Sequence, residues 1–320
     1  MRDVLVVTAA AFAVVTGAND GSAILSAGLR VPGLRPLMSL GVLLVAIAVG
    51  PWALFGTRVA TTLAHRLVPF HGNGADRVFL IAALVSMVVV FVLTRAGLPT
   101  SLTLALIGAI TGAGLGAGLA VQAGELIKIL VFGMASPVVA AVLAYFGSRM
   151  LGRAVQGARM TTRLRRMHVV AYSLQCISYS ANDGQKMLAV FAVAAGSASG
   201  GVVRDPWWLG VSVAVLFCLG VALSLRRVAA NVGEGILSVH LRHAVVAEAS
   251  TFALVMSAGL IGVPTTTTQS LAGGLVGAGA SEARSRVRWT VAARLAGAWV
   301  VTLPASIGLA ALASAGLGRI

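Results

Sequence analysis

Two Asn-Asp pairs, Asn19-Asp20 and Asn182-Asp183, sit inside apolar sequence, in TGANDG at residues 16–21 and YSANDG at 179–184. An aspartate at the centre of a membrane helix costs about 2.5 to 3.5 kcal/mol on insertion scales, so placing one there twice argues for use rather than accident. The asparagines alone could serve only to join helices by hydrogen bonds, but that role requires no carboxylate beside each of them. Two hydroxyl-rich runs follow prolines, Pro99-Thr100-Ser101-Leu102-Thr103 and Pro264-Thr265-Thr266-Thr267-Thr268. Proline in the first turn of a helix loses no hydrogen bond, and the free N–H groups there, with the hydroxyls, can surround an anion. Single Ser or Thr residues in membrane helices often bond back to their own backbone. Four threonines in a row after Pro264 exceed that use.

A carboxylate repels a bound anion unless a cation or proton lies between them. The two sets of residues therefore predict coupling, with Asp20 and Asp183 holding Na⁺, or protonated, when an oxyanion binds. Phosphate fits better than sulfate, because protonated phosphate offers O–H donors to a carboxylate while sulfate at neutral pH only accepts. Lys186, three residues after Asp183, is placed either to neutralise that carboxylate or to face the substrate path. Lys128 and Arg294 read as side chains that snorkel to the interface. His240 and His243, with no carboxylate or thiolate nearby in sequence, read as part of an amphipathic loop helix rather than a metal site. No nucleophile and base can be paired, so the chain does not read as an enzyme.

These groups need membrane elements to hold them. The chain has 320 residues, 58% hydrophobic and 10% charged, with a mean hydropathy of +0.95. A soluble domain of this size could not cover its surface with so few charges. Runs at 38–55, 78–94, 211–225 and 245–263 come close to the roughly 20 residues that cross a bilayer core. Spans are expected near 4–28, 36–56, 78–95 and 121–147, with 99–118 as a re-entrant hairpin. The stretch 57–77, carrying Arg58, His65, Arg66 and His71, is too polar to assign as a span. The N-terminal MRDVLVVTAAAFAVV has the form of a signal peptide. The motif that follows it recurs inside a later span, so the segment is read as the first helix.

The motifs recur in order. After the Asn-Asp and Pro-Thr pairs come glycine-rich runs, LIGAITGAGLGAG and LAGGLVGAG, then FGMASPVV and WVVTLPAS, aligned on Pro137 and Pro304. Gly108, Gly112, Gly116, Gly273 and Gly277 would let a neighbouring hairpin arm approach closely. The chain thus divides into a first repeat, 1–147, a basic loop, 148–167, and a second repeat, 168–320. Transporters are often built so, with broken helices meeting at the repeat interface, and inverted topology requires an odd number of crossings per repeat. Arg149, Arg153, Arg159, Arg163, Arg165 and Arg166 crowd the loop without an acidic residue, part of a net charge of +15. That is the positive-inside mark of a cytoplasmic segment that can touch anionic lipid. Nucleic-acid binding would want interleaved aromatics, and the loop has none. Cys176 and Cys218 provide neither a disulfide framework nor metal-type spacing.

GAND and ANDGQK, paired with PTSLT and PTTTTQ and followed by glycine-rich runs, resemble the inorganic phosphate transporter (PiT) family of sodium- or proton-coupled symporters over nearly the whole chain. The resemblance implies an all-α polytopic fold of two inverted repeats with broken helices and re-entrant hairpins, usually a homodimer in the cell membrane. It implies import of phosphate with Na⁺ or H⁺ and no cofactor. It places phosphate against Asn19, Asp20, Ser101, Thr103, Asn182, Asp183, Gln185, Thr266, Thr267 and Thr268, with Asp20 and Asp183 serving the coupling ion. Departures from the family pattern concentrate in the first half: Ala23, Leu102 and Leu104 stand where polar residues are usual, while Tyr179 and Ser180 replace the common His and Gly. They shift the expected burden of oxyanion binding to the second half. They also leave open a sulfate carrier on the same scaffold, a passive anion channel or a transport-dead membrane protein.

Overall fold

With no water in a bilayer core to satisfy the backbone, apolar runs must bond within themselves as helices. The computed structural model of the chain is built that way, and it describes residues 2–53, 57–69, 75–95, 100–157, 159–195, 198–199, 202–203, 207–224 and 239–316. Helix α1 (Arg2–Thr16) runs through a π-helical turn (Gly17–Gly21) into α2 (Ser22–Leu29). Next come α3 (Pro36–Ala53), the short α4 (Arg58–Thr61) with a π-helical turn (Thr62–Arg66), α5 (Ala75–Arg95), α6 (Leu102–Gly116) and α7 (Ala123–Ala154). Helix α8 (Met160–Tyr179) passes through a third π-helical turn (Ser180–Gly184) into α9 (Gln185–Ala195). A two-residue antiparallel ladder, β1 (Ala198–Ser199) with β2 (Val202–Val203), is the exception to the all-α expectation. The chain continues as α10 (Trp207–Leu223), α11 (Leu241–Leu260), α12 (Thr267–Glu282) and α13 (Trp289–Ala315).

Among the described residues, five stretches are long and apolar enough to cross a membrane: Asp3–Leu29, Asp76–Arg95, Ala123–Ala154, Leu241–Leu260 and Trp289–Ala315. The chain is a multi-pass membrane protein. Helix α7, at 32 residues, is about 48 Å long, well over a hydrocarbon core of about 30 Å, so its basic end with Arg149 and Arg153 reaches beyond the apolar zone. Helices α6 and α12 have 15 and 16 residues and are buried on nearly every side. At about 22 to 24 Å they are shorter than a hydrocarbon core of about 30 Å.

The polar 57–77 stretch is not a span. Residues 57–69 of it fold around α4 and the adjoining π-turn, with Val59, Ala60, Leu63, Leu67 and Val68 buried, residues 75–77 begin α5, and His71 lies outside the described residues. The polar groups of this segment hold the turn between α11 and α12. Arg58 donates to the Leu260 carbonyl at 2.6 Å, and the Thr62 hydroxyl donates to the Gly262 carbonyl at 2.9 Å. Gly262 has φ +72°, where a Cβ would also crowd Arg58, so the turn needs glycine.

The glycine runs act as foreseen, as places of close approach, but their partners are the long helices. The α6 glycines Gly108, Gly112 and Gly116 lie on the carbonyls of Leu303, Ile307 and Ala311 in α13, and Gly273 and Gly277 of α12 lie on those of Pro137 and Ala141 in α7. The facing stripes are small too: Ser136, Ala140 and Ala144 on α7, and Ala298, Thr302, Ser306 and Ala310 on α13. Lipid cannot drive helices together by hydrophobicity, so such backbone-to-backbone packing supplies the association. A Cβ at Gly277 would fall 1.9 Å from the Ala141 carbonyl oxygen. Gly277→Ala should therefore lower stability by about 1 to 3 kcal/mol, read as a fall in melting temperature in detergent. Gly308→Ala, where a Cβ meets nothing within 4 Å, should cause no fall.

Candidate functional site at two helix N-termini

Both Asn-Asp motifs lie in π-helical turns, Gly17–Gly21 and Ser180–Gly184. A π-turn inserts a residue and pulls backbone groups out of register, which is why such turns gather at functional sites. Gly17 lets the first one pack directly on α10, since a Cβ there would lie 1.9 Å from the Phe217 carbonyl oxygen. Asp20 and Asp183 are both buried, and their charges lie close enough to interact, with Lys186 near both.

The second motif organises the start of α12. Asn182 donates from Nδ2 to the Val263 carbonyl at 2.9 Å and accepts the Thr265 N–H at Oδ1 at 3.0 Å, so both ends of its amide fix the extended stretch before the helix. Thr266 is the extended N-cap residue of α12, yet its side chain makes no capping bond. The Asp183 carboxylate takes that role from outside the helix, with Oδ2 accepting the Thr267 N–H at 3.3 Å and also the Thr267 hydroxyl. A carboxylate at this end meets the positive pole of the helix.

Helix α6 starts opposite. The Ser101 Oγ accepts the Leu104 N–H at 3.3 Å as N-cap and lies 3.2 Å from Thr266 Oγ1, so two helix N-termini face each other. Thr100 pairs through its hydroxyl with Thr302 of α13. Between the two N-termini sits Lys186, bonded to Asp183 Oδ1, to Thr103 Oγ1 at 2.5 Å and to the Thr265 carbonyl at 2.6 Å. The first motif is plainer. Asn19 Nδ2 donates to Asp20 Oδ1 at 2.8 Å, and among the described residues no lysine or arginine forms an ion pair with Asp20.

Ser101, Thr103, Asn182, Asp183, Thr266 and Thr267 thus form one network, with Asn19 and Asp20 adjacent to it. Two of the expected residues stand apart. Thr268 is half-buried and outside that hydrogen-bond set, and Gln185 faces α4, where its Oε1 accepts the Val59 and Ala60 N–H groups at 2.8 and 3.2 Å. Gln185 therefore caps a helix that its own sequence neighbourhood gives no hint of.

Sequence reasoning missed Tyr179. Its hydroxyl is buried without a hydrogen-bond partner among the described residues and interacts electrostatically with Asp20 and Asp183. The spacing of four residues before Asp183, which places both on one helix face, was the available signal. Thr265 Oγ1 and Gln269 Nε2 are likewise buried and unpartnered. Each can donate, and an unsatisfied buried donor costs about 1 to 3 kcal/mol, which a ligand rich in acceptor oxygens relieves.

His240 and His243 do gain a carboxylate from the fold, Glu282, with ligand atoms within 4.8 Å of one another. Arg242 and Arg286 pair with the same carboxylate, so the cluster reads as a surface ion-pair network.

Two short buried helices meeting N-terminus to N-terminus beside buried ionisable turns, among helices long and apolar enough to cross a membrane, are the attributes of a membrane transporter. The chain belongs to the phosphate transporter family: the family model PHO4, "Phosphate transporter family", matches residues 34–310. It is 30% identical over 311 residues to a "Probable low-affinity inorganic phosphate transporter" of Mycobacterium tuberculosis (strain ATCC 25618 / H37Rv), covering 94% of this chain and 74% of that protein. A protein of the same description from Bacillus subtilis (strain 168) is 28% identical over 317 residues, covering 97% of this chain and 95% of the relative. Among solved structures, "The sodium-dependent phosphate transporter" superposes with a TM-score of 0.86 at 17% identity, covering 100% of this chain and 99% of that one, a likeness of fold.

Proposed function

We propose that this protein imports inorganic phosphate by symport with Na⁺ or H⁺ and performs no catalysis. The observation that carries the reading is the convergence of the α6 and α12 N-termini at Ser101 and Thr266, beside Asp20, Asp183 and Lys186. Two positive helix poles and the donors of Thr265, Gln269 and Tyr179, which have no partner among the described residues, suit an oxyanion. The carboxylates suit one that keeps a proton, which favours phosphate over sulfate. The similar proteins of Mycobacterium tuberculosis and Bacillus subtilis are described as inorganic phosphate transporters, and the superposing structure is of a sodium-dependent phosphate transporter.

In this reading substrate touches the Ser101, Thr103, Thr266, Thr267 and Thr268 hydroxyls, Asn19 and the two carboxylates, while Asn182 and Gln185 position the surrounding backbone. The recurring motifs support two inverted repeats, 1–147 and 168–320, with α6 and α12 as inner arms of re-entrant hairpins. The exposed apolar faces of α7 and α13, with Val138, Val142, Val300 and Leu309, suit lipid and a second copy in a homodimer.

Binding isotherms on purified protein test this site. Phosphate should bind, with sulfate a weak competitor, and Thr267→Ala should lower affinity about ten- to a hundredfold, the worth of a charge-assisted hydrogen bond. Ser101→Ala should lower it distinctly less, because its Oγ serves mainly as N-cap. Equal losses would mean that the halves share substrate evenly. The basic 148–167 segment is not one loop, since its ends belong to α7 and α8, which leaves only a short connection between Ala154 and Met160; it is cytoplasmic in the same account. Gln156 is exposed and Cys176 and Cys218 are buried, so Gln156→Cys in a background lacking both cysteines should resist labelling from outside intact cells. Labelling there would reverse the orientation.

A further inference from the structure

We infer that Lys186 is a tethered cation occupying a position that Na⁺ would otherwise take, so that Asp183 is a fixed structural anion and Asp20 alone serves the mobile coupling ion. The ammonium is bonded to three oxygens carried by three separate elements: the Asp183 carboxylate in the π-turn, the Thr103 hydroxyl in α6 and the Thr265 carbonyl in the unwound stretch before α12. A carboxylate, a hydroxyl and an unwound backbone carbonyl are the hard oxygen donors with which broken helices hold Na⁺. An ammonium has three N–H donors and no acceptor, so one bond to each oxygen saturates it. Lys186 is buried, and with every proton engaged it has none left for substrate.

The two motifs differ at this point. In ANDGQK the residue three after the aspartate is Lys186, whereas in ANDGSA it is Ala23, with the same spacing from Asp20. Asp20 therefore has no built-in counter-charge, and among the described residues it forms no ion pair. The group Asp20, Asp183 and Lys186 retains one net negative charge, which one mobile cation neutralises before the anion enters.

The count of coupling ions rests on the symport reading above, but Na⁺ occupancy of a vacated ammonium position does not, so the two are tested apart. Melting of purified protein is compared in NaCl and in choline chloride at equal ionic strength. Lys186→Gln should gain an Na⁺-specific rise of at least about 3 °C beyond any shown by the wild type, because ligand binding to the folded state raises its melting point. The double variant Asp183→Asn/Lys186→Gln, with both charges gone, should fold and lack that excess. A Lys186→Gln variant with only the wild-type response to Na⁺ would overturn the inference, and so would one that stays unfolded in NaCl while the double variant folds. An independent arm leaves Lys186 in place. Asp20→Asn should abolish cation-driven accumulation of phosphate in proteoliposomes entirely, and residual accumulation would reveal a second mobile cation. If the wild type itself shows no cation-driven uptake, the symport reading fails while the melting comparison still decides the ammonium's role.

Discussion

Asp183→Asn should abolish phosphate binding and leave the protein markedly less stable. The carboxylate holds three things at once: the first turn of α12 through Thr267, the Lys186 ammonium, and a contact from Thr103 at 3.4 Å. An asparagine can still accept one of these bonds but cannot neutralise Lys186. Removing one partner of a buried ion pair typically costs about 3 to 5 kcal/mol, because the remaining charge stays uncompensated. The loss should appear in both melting temperature and phosphate isotherms. Adding Lys186→Gln should restore much of the stability without restoring binding. If Asp183→Asn melts like the wild type, the carboxylate is not the keystone described.

Asp20→Asn should have the opposite profile. This carboxylate is buried, receives a bond from Asn19 and organises no helix terminus, so the fold should tolerate its neutralisation. An asparagine side chain keeps the shape but neither takes up a proton nor attracts a cation. Phosphate accumulation driven by Na⁺ or pH gradients should be abolished, while equilibrium phosphate affinity should change by no more than about tenfold, the scale of one lost charge-assisted contact. Parallel uptake and binding measurements on the variant separate the two effects. Equal losses in both would give Asp20 a role in holding substrate and none specific to the coupling ion.

Much of this arrangement was legible in the chain itself. The Asn-Asp and Pro-Thr motifs announce themselves because polar groups in apolar runs are costly and these recur in order. The membrane class follows from composition, and the glycine spacing foretold close helix contacts. What stayed hidden depends on tertiary neighbours. Lys186 had only its spacing from Asp183 to speak for it, while two of its three oxygens come from residues 83 and 79 positions away. The stretch 57–77 is too polar to read as a span, but nothing local shows that Arg58 and Thr62 bond to carbonyls about 200 residues on. Gln185 resembled a substrate ligand, but its oxygen caps α4. His168 and Glu248 give no local sign of pairing, and the packing of α8 on α11 brings them to 3.1 Å in a fully buried contact.

Uptake into proteoliposomes tests the central claim most directly, with labelled phosphate and labelled sulfate supplied separately and Na⁺ and proton gradients imposed one at a time. The account predicts that phosphate accumulates above its external concentration under a cation gradient, that dissipating this gradient stops accumulation, and that sulfate does not accumulate. Phosphate that only equilibrates, indifferent to Na⁺ and pH, would mark a passive anion pathway and contradict it, and preferential accumulation of sulfate would contradict the assignment of substrate.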